Sequence, residues 1–172
     1  MKIAIIGYSG AGKSTLARDL AKKYGVEPFH FDTINFLPGW ELRPGDEKRA
    51  MTADFMDTHA GWVMDGNYTG YFFDRRTEEA DMIIIMAFNR FSCLLRAYKR
   101  YLTFRNNTRP DMADGCNEKF DWAFARWILW EGRSKKTRKK FHALREKYPE
   151  KCVVLKNQRQ LDRFRREQGI MK

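Results

Sequence analysis

Apolar residues fall in five short runs along the chain, at residues 2–6, 28–32, 62–65, 82–88 and 152–156. The stretches between them carry the wider three-to-four spacing of amphipathic helices. Short apolar runs alternating with helices predict βαβ units and a parallel sheet. Ile83-Ile84-Ile85 is apolar at consecutive positions, the pattern of a strand buried on both faces. Gly25 is placed to stop the first helix before the second run, and Pro44 opens a helix through Met51 and Phe55 to His59, with Gly61 as its stop. Helical patterns also cover residues 90–104 and 118–147, and Asn157 caps a last one through Leu161 and Phe164 to Gly169. Residues 105–117 are turn-rich and polar, and are expected to form a mobile, lid-like loop.

The first run leads into Gly7-Tyr8-Ser9-Gly10-Ala11-Gly12-Lys13-Ser14, a complete G-x-x-x-x-G-K-S segment, and a helical pattern beginning Ser14-Thr15-Leu16 follows. Strand, glycine turn and helix are the setting in which such a segment cradles phosphate. Glycines let successive backbone N–H groups curl about an anion, and the helix start adds partial positive charge. Lys13 can bridge the outer phosphates of a nucleoside triphosphate, and the Ser14 hydroxyl can ligate Mg²⁺. Gly7, Ser9, Gly10, Ala11, Gly12, Lys13, Ser14 and Thr15 are the nucleotide-binding candidates, with ATP as substrate and Mg²⁺ as cofactor.

With 43% hydrophobic residues in 172, the chain can build an ordinary core as one domain, and no apolar run approaches the ~20 residues that cross a bilayer. No membrane partner is expected, and a loop motif starting at residue 7 leaves no space for a cleaved leader ahead of it. Cys93, Cys116 and Cys152 are odd in number and widely spaced, which suits a reducing cytoplasm better than a disulfide framework or zinc site. The net charge of +11 is uneven: residues 1–89 hold ten Lys/Arg and thirteen Asp/Glu, residues 90–172 twenty-three and nine. A basic half fits nucleic acid, or arginines closing over a triphosphate, and charge alone does not separate the two.

Open α/β sheets bind ligands beyond the carboxyl ends of their strands. Asp32 and Asp65 close the second and third runs there, each able to hold a Mg²⁺-bound water or to receive a proton from an attacking hydroxyl. His30, between Phe29 and Phe31, reads as a packed core residue. A positioned arginine can speed phosphoryl transfer by ~10³–10⁵. Of Arg90, Arg96, Arg100, Arg109, Arg126, Arg133 and Arg138, the first candidates are Arg109 in the polar loop and Arg133 at a helix break beside Gly132. Residues 133–140 carry six cations in eight positions and read as a solvated helix face. Trp122, Trp127 and Trp130, with Phe120 and Phe124, read as packing or a subunit contact, leaving monomer and homodimer both open.

The loop, Asp32, the insert at 33–61, the Asp65-Gly66-Asn67-Tyr68 turn and the arginine-rich segment after the fourth run together resemble the adenylate-kinase-like P-loop kinases. More narrowly, Phe-Leu-Pro-Gly-Trp, Asp-Gly-Asn-Tyr, Phe-Asn-Arg-Phe and Thr-Arg-Pro-Asp-Met-Ala resemble the bacterial DNA topology modulation (FlaR-related) proteins, a label for a cellular effect that supplies no reaction. The resemblance implies a three-layer α/β/α P-loop fold with a five-stranded parallel sheet in the order 2-3-1-4-5. It implies Lys13 on the phosphates, Ser14 on Mg²⁺ with Asp65 near the metal, Asp32 and Arg43 toward the acceptor, and Arg109 and Arg133 in the lid. Where adenylate kinases continue the D-G turn with Phe-Pro-Arg, Asn67-Tyr68-Thr69 stands here, so an acceptor-binding arginine has no counterpart at that place. The short lid is nearer to those of small-metabolite kinases, whose second-strand aspartate binds a hydroxyl. The expected activity is transfer of the ATP γ-phosphoryl group to a nucleoside monophosphate or another small acceptor. The alternatives are a nucleotide-binding regulatory protein that binds DNA and affects DNA topology, and a chaperone-like or assembly ATPase.

Overall fold

The computed structural model describes residues 1–105 and 107–170; Asn106, within the expected lid loop, and Met171 and Lys172 lie outside the described residues. β1 (Lys2–Gly7) runs through the glycine loop into α1 (Lys13–Tyr24), followed by β2 (Glu27–His30) and the short α2 (Phe31–Asn35). The insert contains a small hairpin, β3 (Phe36–Leu37) and β4 (Glu41–Leu42), and then α3 (Gly45–Thr58). β5 (Trp62–Asp65), α4 (Phe73–Glu79), β6 (Met82–Met86) and α5 (Arg90–Thr103) come next. Beyond the loop lie α6 (Trp122–Leu129), α7 (Lys135–Lys147), β7 (Cys152–Leu155) and α8 (Gln158–Glu167).

Five strands form one parallel sheet in the order β2-β5-β1-β6-β7. Counting only those strands along the chain, this is the expected 2-3-1-4-5. Ile3, Ala4, Ile5 and Ile6 have no solvent exposure, nor do Ile83 and Ile84. Neighbouring strand residues point to opposite faces, so both faces of the sheet centre are covered by helices. No helix among the described residues is long and apolar enough to cross a membrane.

Three features of the fold, set against the sequence expectation, bear on the site. The second strand ends at His30, two residues early, and Asp32 lies in the first turn of α2. Thr33 donates its hydroxyl to the His30 carbonyl at 2.7 Å, which closes that turn, and the fully buried Phe31 packs edge-on to Phe29 with ring centres 5.1 Å apart. The 118–147 pattern is two helices, broken at residues 131–133 around the expected break at Gly132, which packs so closely on Trp127 that a β-carbon there would lie 3.0 Å from the indole Nε1. Ser134 then caps α7 by accepting the Thr137 N–H at 3.2 Å. Third, the lid segment is seated on the insert. Met112, Ala113 and Cys116 form an apolar cluster with Phe36 and Trp40, and Gly39 donates its N–H to the Gly115 carbonyl at 3.2 Å.

Candidate active site

A cleft of about 1100 Å³ opens at the carboxyl end of the sheet, bounded by the glycine loop, α2, the Asp65–Tyr68 turn, the lid segment and α7. Its floor is the loop itself, and backbone geometry explains the glycines. Gly7 has φ 150° and a β-carbon there would lie 2.4 Å from the Met86 carbonyl oxygen of β6; Gly10 has φ 78° and would meet the Cys93 carbonyl of α5 at 2.4 Å. Ser9, Gly10, Gly12, Lys13, Ser14 and Thr15 line the cleft, whereas Ala11 is fully buried behind them, its carbonyl accepting from Arg96 at 3.0 Å. Lys13 donates to the Tyr8 carbonyl at 3.2 Å. Burial pushes its ammonium below the ordinary lysine value, with the negative charges of Asp65 and Asp32 pulling the other way. A phosphate at this place would supply the charge that the site lacks.

Asp65 is the hinge of the arrangement. It is buried at the end of β5, accepts the Ser14 hydroxyl on Oδ2 at 2.8 Å, and meets the His30 Nδ1 on Oδ1. The sequence paired Ser14 and Asp65 as metal-site residues, and the fold brings them into contact. His30 is buried as expected, yet its ring belongs to this network rather than to an apolar core. Hydroxyl and carboxylate oxygens are hard donors that suit Mg²⁺, which keeps several waters and relies on substrate phosphates for the rest of its shell. No cluster of three or more His, Cys, Asp or Glu that could hold a metal exists among the described residues. Asn67, two residues on, clamps the strand end by accepting the Gly7 N–H at 2.9 Å and donating to the Gly7 carbonyl at 2.6 Å.

Across the cleft, Asp32 accepts the Tyr68 hydroxyl on one oxygen at 2.9 Å and Arg109 on the other at 3.3 Å. Burial, then Asp32, raise the Tyr68 phenol far above its usual range, so it remains a donor. Arg109 is only 8% exposed and lies within ion-pair distance of three carboxylates, Asp32 at 3.3 Å, Asp111 at 3.3 Å and Glu118 at 3.4 Å. Phe36, Trp40, Tyr68, Tyr71 and Met112 form the walls of this half. Arg43 does not line it: its Nε donates to the Ile34 carbonyl at 2.9 Å and its NH1 to Glu47 at 3.2 Å, which ties it to α2 and α3.

Arg133 also lies outside the cleft lining. Its guanidinium stacks 3.9 Å from the Tyr8 ring centre and donates to the Ile128 and Phe88 carbonyls, each at 2.9 Å, so it braces the glycine loop from behind. The basic run is a solvated face only in part. Lys135, Arg138 and Lys139 are exposed, but Lys136, Thr137 and Lys140 line the cleft. Helical periodicity gave these positions no distinguishing mark, because every face of the run carries a cation. The tryptophans are not core. Trp122, Trp127 and Trp130 are 72%, 47% and 53% exposed, because α6 buries Ala125, Ile128 and Leu129 instead. Trp127 reaches the cleft and donates to the Ser9 hydroxyl at 3.3 Å.

No family model and no curated protein matches this sequence. Solved structures share its fold. Deoxyadenosine kinase from M. mycoides with bound dATP superposes with a TM-score of 0.56 at 16% identity, covering 98% of this chain and 100% of that one. Shikimate kinase from Acinetobacter baumannii in complex with shikimate gives 0.56 at 16% identity, over 96% and 89% of the two chains. A gluconokinase from Sinorhizobium meliloti 1021 gives 0.50 at 14%, over 98% and 90%. At such identities the likeness is one of architecture: the chain has the α/β fold, with a five-stranded parallel sheet, found in these kinases.

Proposed function

We propose that this protein is a Mg²⁺-dependent phosphotransferase that moves the γ-phosphoryl group of ATP to a small acceptor. The observation that carries this reading is the contact of Ser14 with Asp65 at 2.8 Å beside Lys13, at the head of a cleft whose far side offers a second carboxylate, Asp32. The glycine loop and Lys13 bind the phosphate tail. Ser14 would hold Mg²⁺, with Asp65 behind it through water, and the metal would supply neutralisation of charge on the β- and γ-phosphates. Asp32 orients the acceptor hydroxyl and receives its proton, while Tyr68 and Arg109 fix the carboxylate in place.

The acceptor lies between Asp32 and the insert at 33–61, and the segment at 105–117 covers it. Its contacts with Phe36 and Trp40 support a joint movement of lid and insert that excludes water, which would otherwise take the phosphoryl group. A cytoplasmic setting belongs to the same reading. The test is ADP release from Mg-ATP in the presence of nucleosides, nucleoside monophosphates and small alcohols. At least one acceptor is expected to raise turnover above a Lys13→Ala control, and a panel in which none does so defeats the assignment.

A further inference from the structure

The cleft divides by charge. On the Asp32 side three guanidiniums face carboxylates: Arg18 pairs with Asp111, Arg100 with Glu118, and Arg109 with both of these and Asp32. Arg96, beside the glycine loop, donates to the Ala11 carbonyl and Gln158, and Lys119 lies exposed over the Trp40 ring. The α7 side is different. Lys136 and Lys140 line the cleft one helical turn apart, with Thr137 beside them. Behind them Arg76, on α4, is fully buried; its NH2 donates to the Gly66 carbonyl at 3.1 Å, while Nε and NH1 have no hydrogen-bond partner. Among the described residues, none of these three cations has a carboxylate within the 4.0 Å of an ion pair.

Lys140 gives its ammonium to a neutral acceptor, the Asn67 carbonyl at 2.9 Å, and sits 4.8 Å over the Phe73 ring. Burial, then the nearby charges of Arg76 and Lys136, push its pKa down to about 8. Burial pushes Arg76 down to about 9 against the pull of Asp65. Cations gathered without a counter-ion oppose folding, and an anion bound among them relieves that strain by mass action.

We propose that Lys136 and Lys140 form an anion seat on α7 for the γ-phosphoryl group of the nucleotide. This rests on the phosphotransferase reading and deepens it, because it assigns the transferred group to lysines rather than to a lid arginine. In transfer, the bond from the γ-phosphorus to the β–γ bridging oxygen breaks with its electron pair left on ADP. A bond to the acceptor oxygen forms, and the acceptor proton passes to Asp32. Charge spreads over the equatorial oxygens meanwhile, and each ammonium brings three N–H donors that can follow it. Arg109 is committed elsewhere: its NH2 donates to Asp32, its NH1 pairs with Asp111, and Glu118 lies 3.4 Å from a buried Nε that makes no hydrogen bond.

The experiment is titration calorimetry with Mg²⁺, comparing ADP with an ATP analogue whose β–γ bridge cannot be cleaved. The wild-type protein is expected to prefer the analogue. Lys136→Met/Lys140→Met should keep ADP affinity and bind the analogue roughly 10- to 100-fold more weakly, the loss typical of charged hydrogen bonds. Lys140→Arg should restore analogue binding. A bound phosphate raises the Lys140 pKa from about 8 toward the ordinary 10.5, so analogue binding takes up protons inside that window. At about pH 8.5 the wild-type heat should therefore depend on buffer ionisation, and that of Lys140→Arg should not, because a guanidinium stays charged. An unchanged ratio of analogue to ADP affinity in the double variant overturns the seat and leaves the phosphotransferase reading standing. Should the double variant not fold, Lys136→Met alone decides, since that side chain is exposed; an unchanged ratio there also overturns the seat. Wild-type protein that binds neither nucleotide sinks both.

Discussion

Asn67 joins two segments sixty positions apart by holding both backbone polar groups of Gly7. Truncating it leaves a strand-end N–H and carbonyl without partners next to the phosphate loop. Asn67→Ala is expected to cost about 2–3 kcal/mol in urea denaturation, because stranded backbone groups lose their bonds without gaining water. Nucleotide affinity should fall as well, since Gly7 is where the loop leaves the sheet. The same measurements on Asn67→Asp, which can still accept the Gly7 N–H, should give an intermediate result. Ser14 and Asp65 were legible in the sequence because a motif fixed the first and a strand end the second. Asn67 was not, since its partner lies across the sheet and short turn residues look alike in one dimension. His30 was half legible: its burial followed from its apolar neighbours, its bond to Asp65 only from the register of β2 against β5.

Secondary-structure elements, more than the loop's own residues, decide how the glycine loop is held. α5 presses the Cys93 carbonyl against Gly10, the break between α6 and α7 puts Arg133 against Tyr8, and α6 delivers Trp127 to Ser9. Gly10→Ala tests this directly. The added carbon would sit 2.4 Å from a backbone oxygen, at a left-handed φ that alanine disfavours by ~1–2 kcal/mol. Overpacking adds a comparable amount, so a total loss of about 2–4 kcal/mol is expected by chemical denaturation, with ATP affinity falling in calorimetry. The long elements were readable beforehand for a plain reason. A strand buried on both faces is a continuous apolar run, and β1, β5 and β6 lie where such runs are. The hairpin of β3 and β4 is too short to carry any period. The break within 118–147 was legible from Gly132, and the local contact of that glycine with Trp127 five residues earlier accompanies it.

At the scale of the whole molecule, three carboxylates and three guanidiniums knit α1, α2, α5 and the lid segment into one network above the Asp32 half of the cleft. The network is balanced within itself. Arg109 is buried in it, and Arg43 is bound to α2 and α3, so neither presents a free edge to an incoming phosphate. The walls carry aromatic rings, and Asp32, held by the Tyr68 hydroxyl, is placed to receive an acceptor hydroxyl. A phosphorylated acceptor would bring two further negative charges toward that carboxylate, where the guanidiniums already face carboxylates and Lys119, over the Trp40 ring, is solvent-exposed and screened; low local dielectric enlarges the penalty. A neutral, ring-bearing alcohol such as a nucleoside meets no such penalty. In initial-rate assays with Mg-ATP, each nucleoside is therefore expected to be a better acceptor than its own monophosphate, with the difference in KM. Asp111→Asn combined with Glu118→Gln releases two sides of the Arg109 guanidinium while leaving Asp32 in place. That variant should shift preference toward the monophosphate by roughly tenfold or more, the yield of one recovered charged hydrogen bond. A wild-type enzyme that phosphorylates monophosphates in preference to nucleosides would mean that the network opens when acceptor binds, and that Arg109 turns from the carboxylates to the substrate.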